Sequence, residues 1–302
     1  MGLAFSGDRD PFDDPADPIF CGAFVDLGQT GSSSSPPKGK RVLQQKLSTA
    51  DKTGVLNLAD QDLKPNSSIW QKISQDGLLP KLKSLDLSGN SIKAFPGEVN
   101  MMLNLKTLIV SRCSLQRSND ISALIKLTHL NLDGNDLEVA VFAPLPHTLQ
   151  KVSVASNHFT AIPPVLSPLV NVIELNLSGN RINDTNGLGT LLALIDLNLD
   201  DNMIVELSLD MCLLANLRHL SVKGNQLGKN AITRPDEQSI PEGVFTETAL
   251  DSIDLSTNPA LTKAIVMDFK GVEVFLERRK KTKDKAFAGG ALSDSSVFGD
   301  IV

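Results

Sequence analysis

The feature that most constrains this chain is a phrase, Leu-x-x-Leu-x-Leu-x-x-Asn-x-Leu, that returns along most of its length. Leu82, Leu85, Leu87, Asn90 and Ile92 spell it, and Leu127, Leu130, Leu132, Asn135 and Leu137 spell it again. Further copies run through Val172, Leu175, Leu177, Asn180 and Ile182, and through Leu194, Leu197, Leu199, Asn202 and Ile204. Leu217, Leu220, Val222, Asn225 and Leu227 complete the clear set. Looser copies surround Leu56 and Leu58, Leu108 and Val110, Val152 and Val154, and Ile253 and Leu255, which makes nine units. The Asn position recurs at 90, 113, 135, 157, 180, 202 and 225, a period of 22 or 23 residues.

A single unit of this length cannot bury its own leucines. Stacked units bury them in one continuous core, so the repeat demands a solenoid. The Leu-x-Leu core of each unit reads as a short strand whose leucines face inward and whose intervening residue faces out. The Asn at the following turn can bond backbone groups of adjacent turns that would otherwise be buried without partners. Cys113 stands at one of these positions and reads as a buried ladder residue rather than a redox group. The chain is thereby identified as a member of the leucine-rich-repeat class. The expected fold is an α/β horseshoe with a parallel concave sheet, short 3₁₀ or helical convex returns and helical caps.

Phe95-Pro96 and Ile162-Pro163-Pro164 cannot continue an α-helix, so those returns should be extended or one 3₁₀ turn. Thr185 to Leu194 has room for a slightly longer helical turn, and the return around Ile69, Trp70 and Ile73 should be helical. The polar stretch Lys229 to Gln238 lengthens one unit and should loop out. Residues 1–40, rich in Asp, Ser and Pro, are expected to be a disordered arm. Residues 41–52 should form an N-terminal cap helix on Val42, Leu43, Leu47 and Ala50. The repeats fill 53–260, a C-terminal cap helix with a basic end fills 261–287, and 288–302 is a tail. The apolar stripe of the second cap is Ile265, Val266, Phe269, Val272, Phe275 and Leu276.

Two end segments carry a narrower likeness. Lys52-Thr53-Gly54-Val55-Leu56-Asn57-Leu58 after a short helix resembles the entry of the small intracellular leucine-rich-repeat proteins typified by leucine-rich repeat-containing protein 57. Phe275-Leu276-Glu277-Arg278, followed by Lys280, Lys281, Lys283, Lys285 and Ala286-Phe287-Ala288, is similar to that group's basic tail, and Met1-Gly2 to its start. The resemblance implies protein binding and brings no chemistry with it.

Composition agrees with a binding role. Aromatic residues make up 4% of the chain, with no Tyr and one Trp, so aliphatic side chains must build the core. A net charge of −6 argues against nucleic acid as the main partner, because phosphate binding needs a basic face. Cys21, Cys113 and Cys212 form no paired motif, so neither zinc nor a disulfide framework is indicated, and no cofactor is expected. The opening residues lack the pattern of a secretory leader, and no run of apolar residues would span a membrane. The expected setting is the cytoplasm, partly at a membrane, and the expected state a monomer. No phosphate loop or nucleophile elbow is present, so an enzyme is not expected.

Alternation along the strands nominates a partner-binding face. Its acidic members are Asp86, Asp133, Glu174, Asp196, Asp200 and Asp254, which outnumber the basic Lys151 and Lys223. Asn131, Asn176, Asn198, His129 and His219 share it. A protein with a basic segment is the expected partner. His129 and His219 lie four strands apart, too far to share a proton. Met1-Gly2-Leu3-Ala4-Phe5-Ser6 fits the myristoylation pattern at Gly2, with Cys21 as a candidate for palmitoylation and Arg278 to Lys285 as a contact for anionic lipid. Two other roles fit the same architecture: a subunit recruiting a phosphatase or small GTPase, and a trafficking adaptor using Asp10-Pro11-Phe12 in the arm.

Overall fold

The structure, a computed structural model, describes residues 38–229 and 238–288. Nine three-residue strands run parallel in chain order: β1 Val55–Asn57, β2 Ser84–Asp86, β3 Thr107–Ile109, β4 His129–Asn131, β5 Lys151–Ser153, β6 Glu174–Asn176, β7 Asp196–Asn198, β8 His219–Ser221 and β9 Ser252–Asp254. The register is unbroken: Leu56, Leu85, Leu108, Leu130, Val152, Leu175, Leu197, Leu220 and Ile253 lie side by side. These central residues are buried, and their two neighbours on each strand point outward. The second leucine of each motif, such as Leu87 or Leu177, falls just past the strand and is also buried.

The returns are short because the sequence denies them length. Pro96 and Pro163 hold extended backbone at the start of 3₁₀ turns Gly97–Met101 and Pro164–Leu166. The return expected to be longer, between Thr185 and Leu194, contains only the 3₁₀ turn Leu188–Thr190. Gly187 precedes it with φ 96° and starts the turn in the left-handed region. Two returns are α-helical: α2 Ile69–Gln75, which buries Ile69, Trp70 and Ile73, and α3 Glu242–Thr246.

The asparagine ladder knits successive turns. Asn135 donates Nδ2–H to the Val110 and Leu132 carbonyls at 2.8 Å each, and its Oδ1 accepts the Cys113 and Leu115 amides at 3.0 Å each. The ladder continues past Asn225 to Asn258, a rung that the stretched unit conceals in the sequence. Cys113 keeps the ladder by another route. Its Sγ lies 3.0 Å from the Leu87 carbonyl. Its own carbonyl accepts the Ile92 amide at 3.1 Å, an amide of the kind that Asn Oδ1 accepts in the other units. Burial pushes the Cys113 thiol above its ordinary range, so it remains a protonated rung.

Both caps differ from the expected boundaries. The first, α1, spans Lys38–Thr53 rather than 41–52, with Leu47 and Ala50 buried. Val42 is half exposed and lies off the apolar face. The second cap is two helices, α4 Lys263–Met267 and α5 Val272–Ala288. Gly271, at φ 85°, breaks them apart, and an added Cβ there would stand 3.1 Å from the Glu242 carbonyl. Ile265 faces solvent, while Val266, Phe269, Val272 and Phe275 are buried. The expected disordered arm 1–40 and tail 288–302 lie outside the described residues except at Lys38 to Lys40 and Ala288, as does the expected outward loop except at its ends Lys229 and Gln238.

Candidate partner-binding face

The parallel register converts strand alternation into two outward columns. Residues at the first strand position form one: Ser84, Thr107, His129, Lys151, Glu174, Asp196, His219 and Ser252. Residues at the third position form the other, including Asp86, Ile109, Asn131, Asn176, Asn198 and Asp254. From β3 to β9 the two columns line an open groove of about 640 Å³ that reaches from Thr107 to Asp254.

The two columns do different work. Where the third position is Asp or Asn, its side chain accepts the amide two residues ahead and so forms the turn that leaves the strand. Asp86 accepts from Ser88 N at 2.9 Å, Asn131 from Asp133 N at 3.0 Å and Asn176 from Ser178 N at 3.1 Å. Asn198 and Asp254 each accept such an amide at 2.9 Å. These are the Asx turns for which Asp and Asn are suited. Asp133, Asp200 and Lys223, which strict alternation nominated, lie beyond the strand ends. Asp133 Oδ1 accepts Ser153 Oγ–H at 2.6 Å and Ala155 N–H at 2.7 Å. Asp200 Oδ1 accepts Ser221 Oγ–H at 2.5 Å and the Lys223 backbone amide at 2.8 Å. Both carboxylates clamp one unit to the next.

The nominated acidic face therefore contracts. Asp86, Asp133, Asp200 and Asp254 hold turns, which leaves Glu174 and Asp196 as the carboxylates of the first column. Lys151 Nζ is ion-paired with Glu174 Oε1, and His219 Nε2 lies 3.9 Å from Asp196 Oδ1. His129 Nδ1 is 2.8 Å from Thr128 Oγ1. What the first column presents is a charged row, basic at β5 and acidic at β6 and β7, between two histidines. Thr107 and Ile109, which strand alternation left out, belong to the groove as well. Their signal was the weak Leu108 and Val110 pair, which sets the same frame without the full motif.

Gly2 and Cys21 lie outside the described residues. Arg278, counted with the basic end, is not free for lipid. Its Nη1 donates to the Leu250 carbonyl at 3.0 Å and its Nη2 to the Phe245 carbonyl at 2.9 Å. Arg279 stacks over the Phe275 ring, with 5.9 Å between guanidinium and ring centroid. Among the described residues no group of three His, Cys, Asp or Glu side chains could hold a metal, and no helix is long and apolar enough to cross a membrane.

The Leucine Rich Repeat family model matches residues 81–101, the unit that carries β2. With nine such strands in one parallel ladder, this chain has the leucine-rich-repeat solenoid fold. Among curated relatives it is 32% identical over 159 residues to Toll-like receptor 10 of Bos taurus, covering 51% of this chain and 19% of the receptor. It is 31% identical over 209 residues to the probable serine/threonine-protein kinase pats1 of Dictyostelium discoideum, covering 56% of this chain and 6% of that protein. The leucine-rich-repeat chain spans about a fifth or less of the length of these two relatives. An internalin from Listeria monocytogenes superposes with a TM-score of 0.50 at 19% identity, over 72% of this chain and 62% of the internalin. The TLR13 chain of a complex with ssRNA13 superposes with a TM-score of 0.54 at 20% identity, over 69% of this chain and 34% of that one. Both share its fold.

Proposed function

We infer that this leucine-rich-repeat protein is a protein-binding module or scaffold that seats its partner on the concave face, as a monomer in the cytoplasm. The observation that carries this reading is the first column. Its side chains are fixed at strand spacing on a rigid aliphatic core, project from the sheet and are not engaged in forming turns. Rigidity lowers the ordering cost of binding, and the charge row supplies register. A basic segment suits Glu174 and Asp196, with an acidic neighbour suited to Lys151. The chain is given no catalytic step: the two groove histidines stand on β4 and β8, about 4.8 Å apart per strand step, beyond the reach of a shared proton. The likeness of both ends to small intracellular repeat proteins supports the cytoplasmic setting. Myristoylation at Gly2, with Cys21 as a second acylation point, would divide the protein between cytosol and membrane.

Proximity labelling with wild type and Glu174→Lys/Asp196→Lys tests the reading. The variant should lose the partners that wild type captures, while Lys229→Glu, away from the groove, should retain them. Retention of every partner by the groove variant would overturn concave binding.

A further inference from the structure

The edge of the sheet at which the chain enters each strand carries a second, independent surface. Five lysines, Lys52, Lys81, Lys83, Lys106 and Lys126, line one hollow there, and all are exposed. Lys81 and Lys83 flank buried Leu82, Lys106 follows buried Leu105, and Lys126 precedes buried Leu127. The repeat therefore stacks them on neighbouring turns: the Thr107 and Lys106 amides both donate to the Lys83 carbonyl, at 3.1 and 2.7 Å. Lys81 pairs with Asp51 at 2.5 Å, the one carboxylate lining the hollow, and Lys126 Nζ donates to Asn104 Oδ1 at 2.6 Å. Such a concentration of positive charge is notable on a chain whose net charge is −6.

Beside the lysines runs a ridge of exposed aliphatic residues. Leu103, Ile125, Val170 and Leu192 are 55%, 60%, 51% and 56% exposed. Each stands two residues ahead of the buried residue that opens the motif, so they share one position of the repeat, with His147 between the pairs. Asparagines fix the ridge backbone. Asn104 Nδ2 donates to the Pro80 carbonyl at 2.7 Å, Asn171 Nδ2 to the His147 carbonyl at 3.0 Å and Asn216 Nδ2 to the Leu192 carbonyl at 2.8 Å. The interior needs none of these aliphatic side chains, and polar residues would be accommodated at every one of them.

We propose that this flank docks on an anionic bilayer surface, with the lysines on lipid phosphates and carboxylates and with Leu103 and Ile125 inserted at the headgroup boundary. Charge complementarity selects an anionic occupant. The ridge selects a bilayer over a soluble phosphate compound, because a soluble anion gives protruding aliphatic side chains nothing to enter. The proposal deepens the membrane-tether reading by naming its second signal, and it requires no acyl group. It also sets the orientation: the solenoid rests on its flank, and the concave groove opens sideways to a protein partner.

The test is co-sedimentation of the full-length, unacylated chain with vesicles of phosphatidylcholine alone and of phosphatidylcholine mixed with phosphatidylserine. Wild type should bind the mixed vesicles, with a steep dependence on salt, and leave the neutral ones unbound. Juxtamembrane lysines contribute about 1 kcal/mol each, so Lys83→Glu/Lys106→Glu/Lys126→Glu should weaken binding by at least about a hundredfold. Leu103→Ser/Ile125→Ser should weaken it by about tenfold, since part of each side chain leaves water in the bound state. Equal charge reversal elsewhere, Lys64→Glu/Lys229→Glu/Lys270→Glu, should leave most of the affinity intact. Thermal melting confirms that each variant is folded. The proposal is overturned if wild type ignores the mixed vesicles, if the two lysine triples behave alike, or if the serine pair binds as tightly as wild type. Because the acyl group is absent, failure here leaves the Gly2 reading and the concave-face reading to their own tests.

Discussion

At the residue scale the repeat is held by one buried amide per turn. Asn157 shows the arrangement: its Nδ2 reaches the Leu132 and Val154 carbonyls at 3.1 and 3.0 Å, and its Oδ1 accepts the Leu137 amide at 3.1 Å. Asn157→Ala strips the buried Leu137 amide of its acceptor, while the Leu132 and Val154 carbonyls keep the Asn135 and Asn180 amides. One unsatisfied buried group costs about 1–3 kcal/mol, and chemical denaturation should show a loss in that range. Cys113 occupies the same place without an amide, and its rung survives because a backbone carbonyl takes the neighbouring amide. Its thiol is protonated in the fold. As pH rises past the ordinary thiol pKa, the unfolded chain ionises first, so this rung's contribution is present below that range and declines above it. Native alkylation should therefore modify partly buried Cys212 well before fully buried Cys113, as peptide mass mapping can establish. Similar rates for the two would show that the ladder opens locally. The carboxylates illustrate what a residue string conceals. Asp196 and Asp200 look alike in sequence, yet one faces the groove and the other accepts hydrogen bonds from Ser221 and Lys223.

At the element scale, strands and returns were legible because both follow from a fixed period. Leu85 and Leu87 set a strand, Pro96 or Pro163 forbids a long helix, and the next copy repeats the instruction. The caps were harder, because they belong to no repeat. The apolar stripe that runs from Ile265 to Leu276 suggests one amphipathic helix, and only the left-handed backbone at Gly271 reveals two. The C-terminal seal depends on a single side chain that spacing could not mark. Arg278 reaches from α5 to the Leu250 and Phe245 carbonyls, near the end of the last return. Lysine cannot present two parallel donors in this fork, so Arg278→Lys should cost about 1–3 kcal/mol. Hydrogen exchange should quicken first in β9 and α3, ahead of the central strands. Uniform acceleration across all nine strands would remove Arg278 from the role of local clamp.

At the scale of the whole molecule, the design separates stability from recognition. The core is a single run of mostly aliphatic side chains from Leu47 to Phe275, and the surfaces proposed for binding, groove and flank, lie outside it. In such an array each unit is stabilised mainly by its neighbours, so damage at the centre is felt at both ends. Leu177, in the sixth unit, is fully buried between the turns beside it. Leu177→Ala removes its packing and leaves a cavity, at about 2–5 kcal/mol. If interfaces between units dominate, the variant will unfold in one transition shifted to lower denaturant with its slope preserved, because neither half of the array gains enough by remaining folded alone. If units were independently stable, the halves on either side of the substitution would separate, and the slope would fall as an intermediate became populated. Hydrogen exchange distinguishes the two cases directly. Protection in β2 and β8 should drop by the same amount although they lie on opposite sides of Leu177, whereas loss confined to β6 and β7 would show that the solenoid is not one cooperative unit.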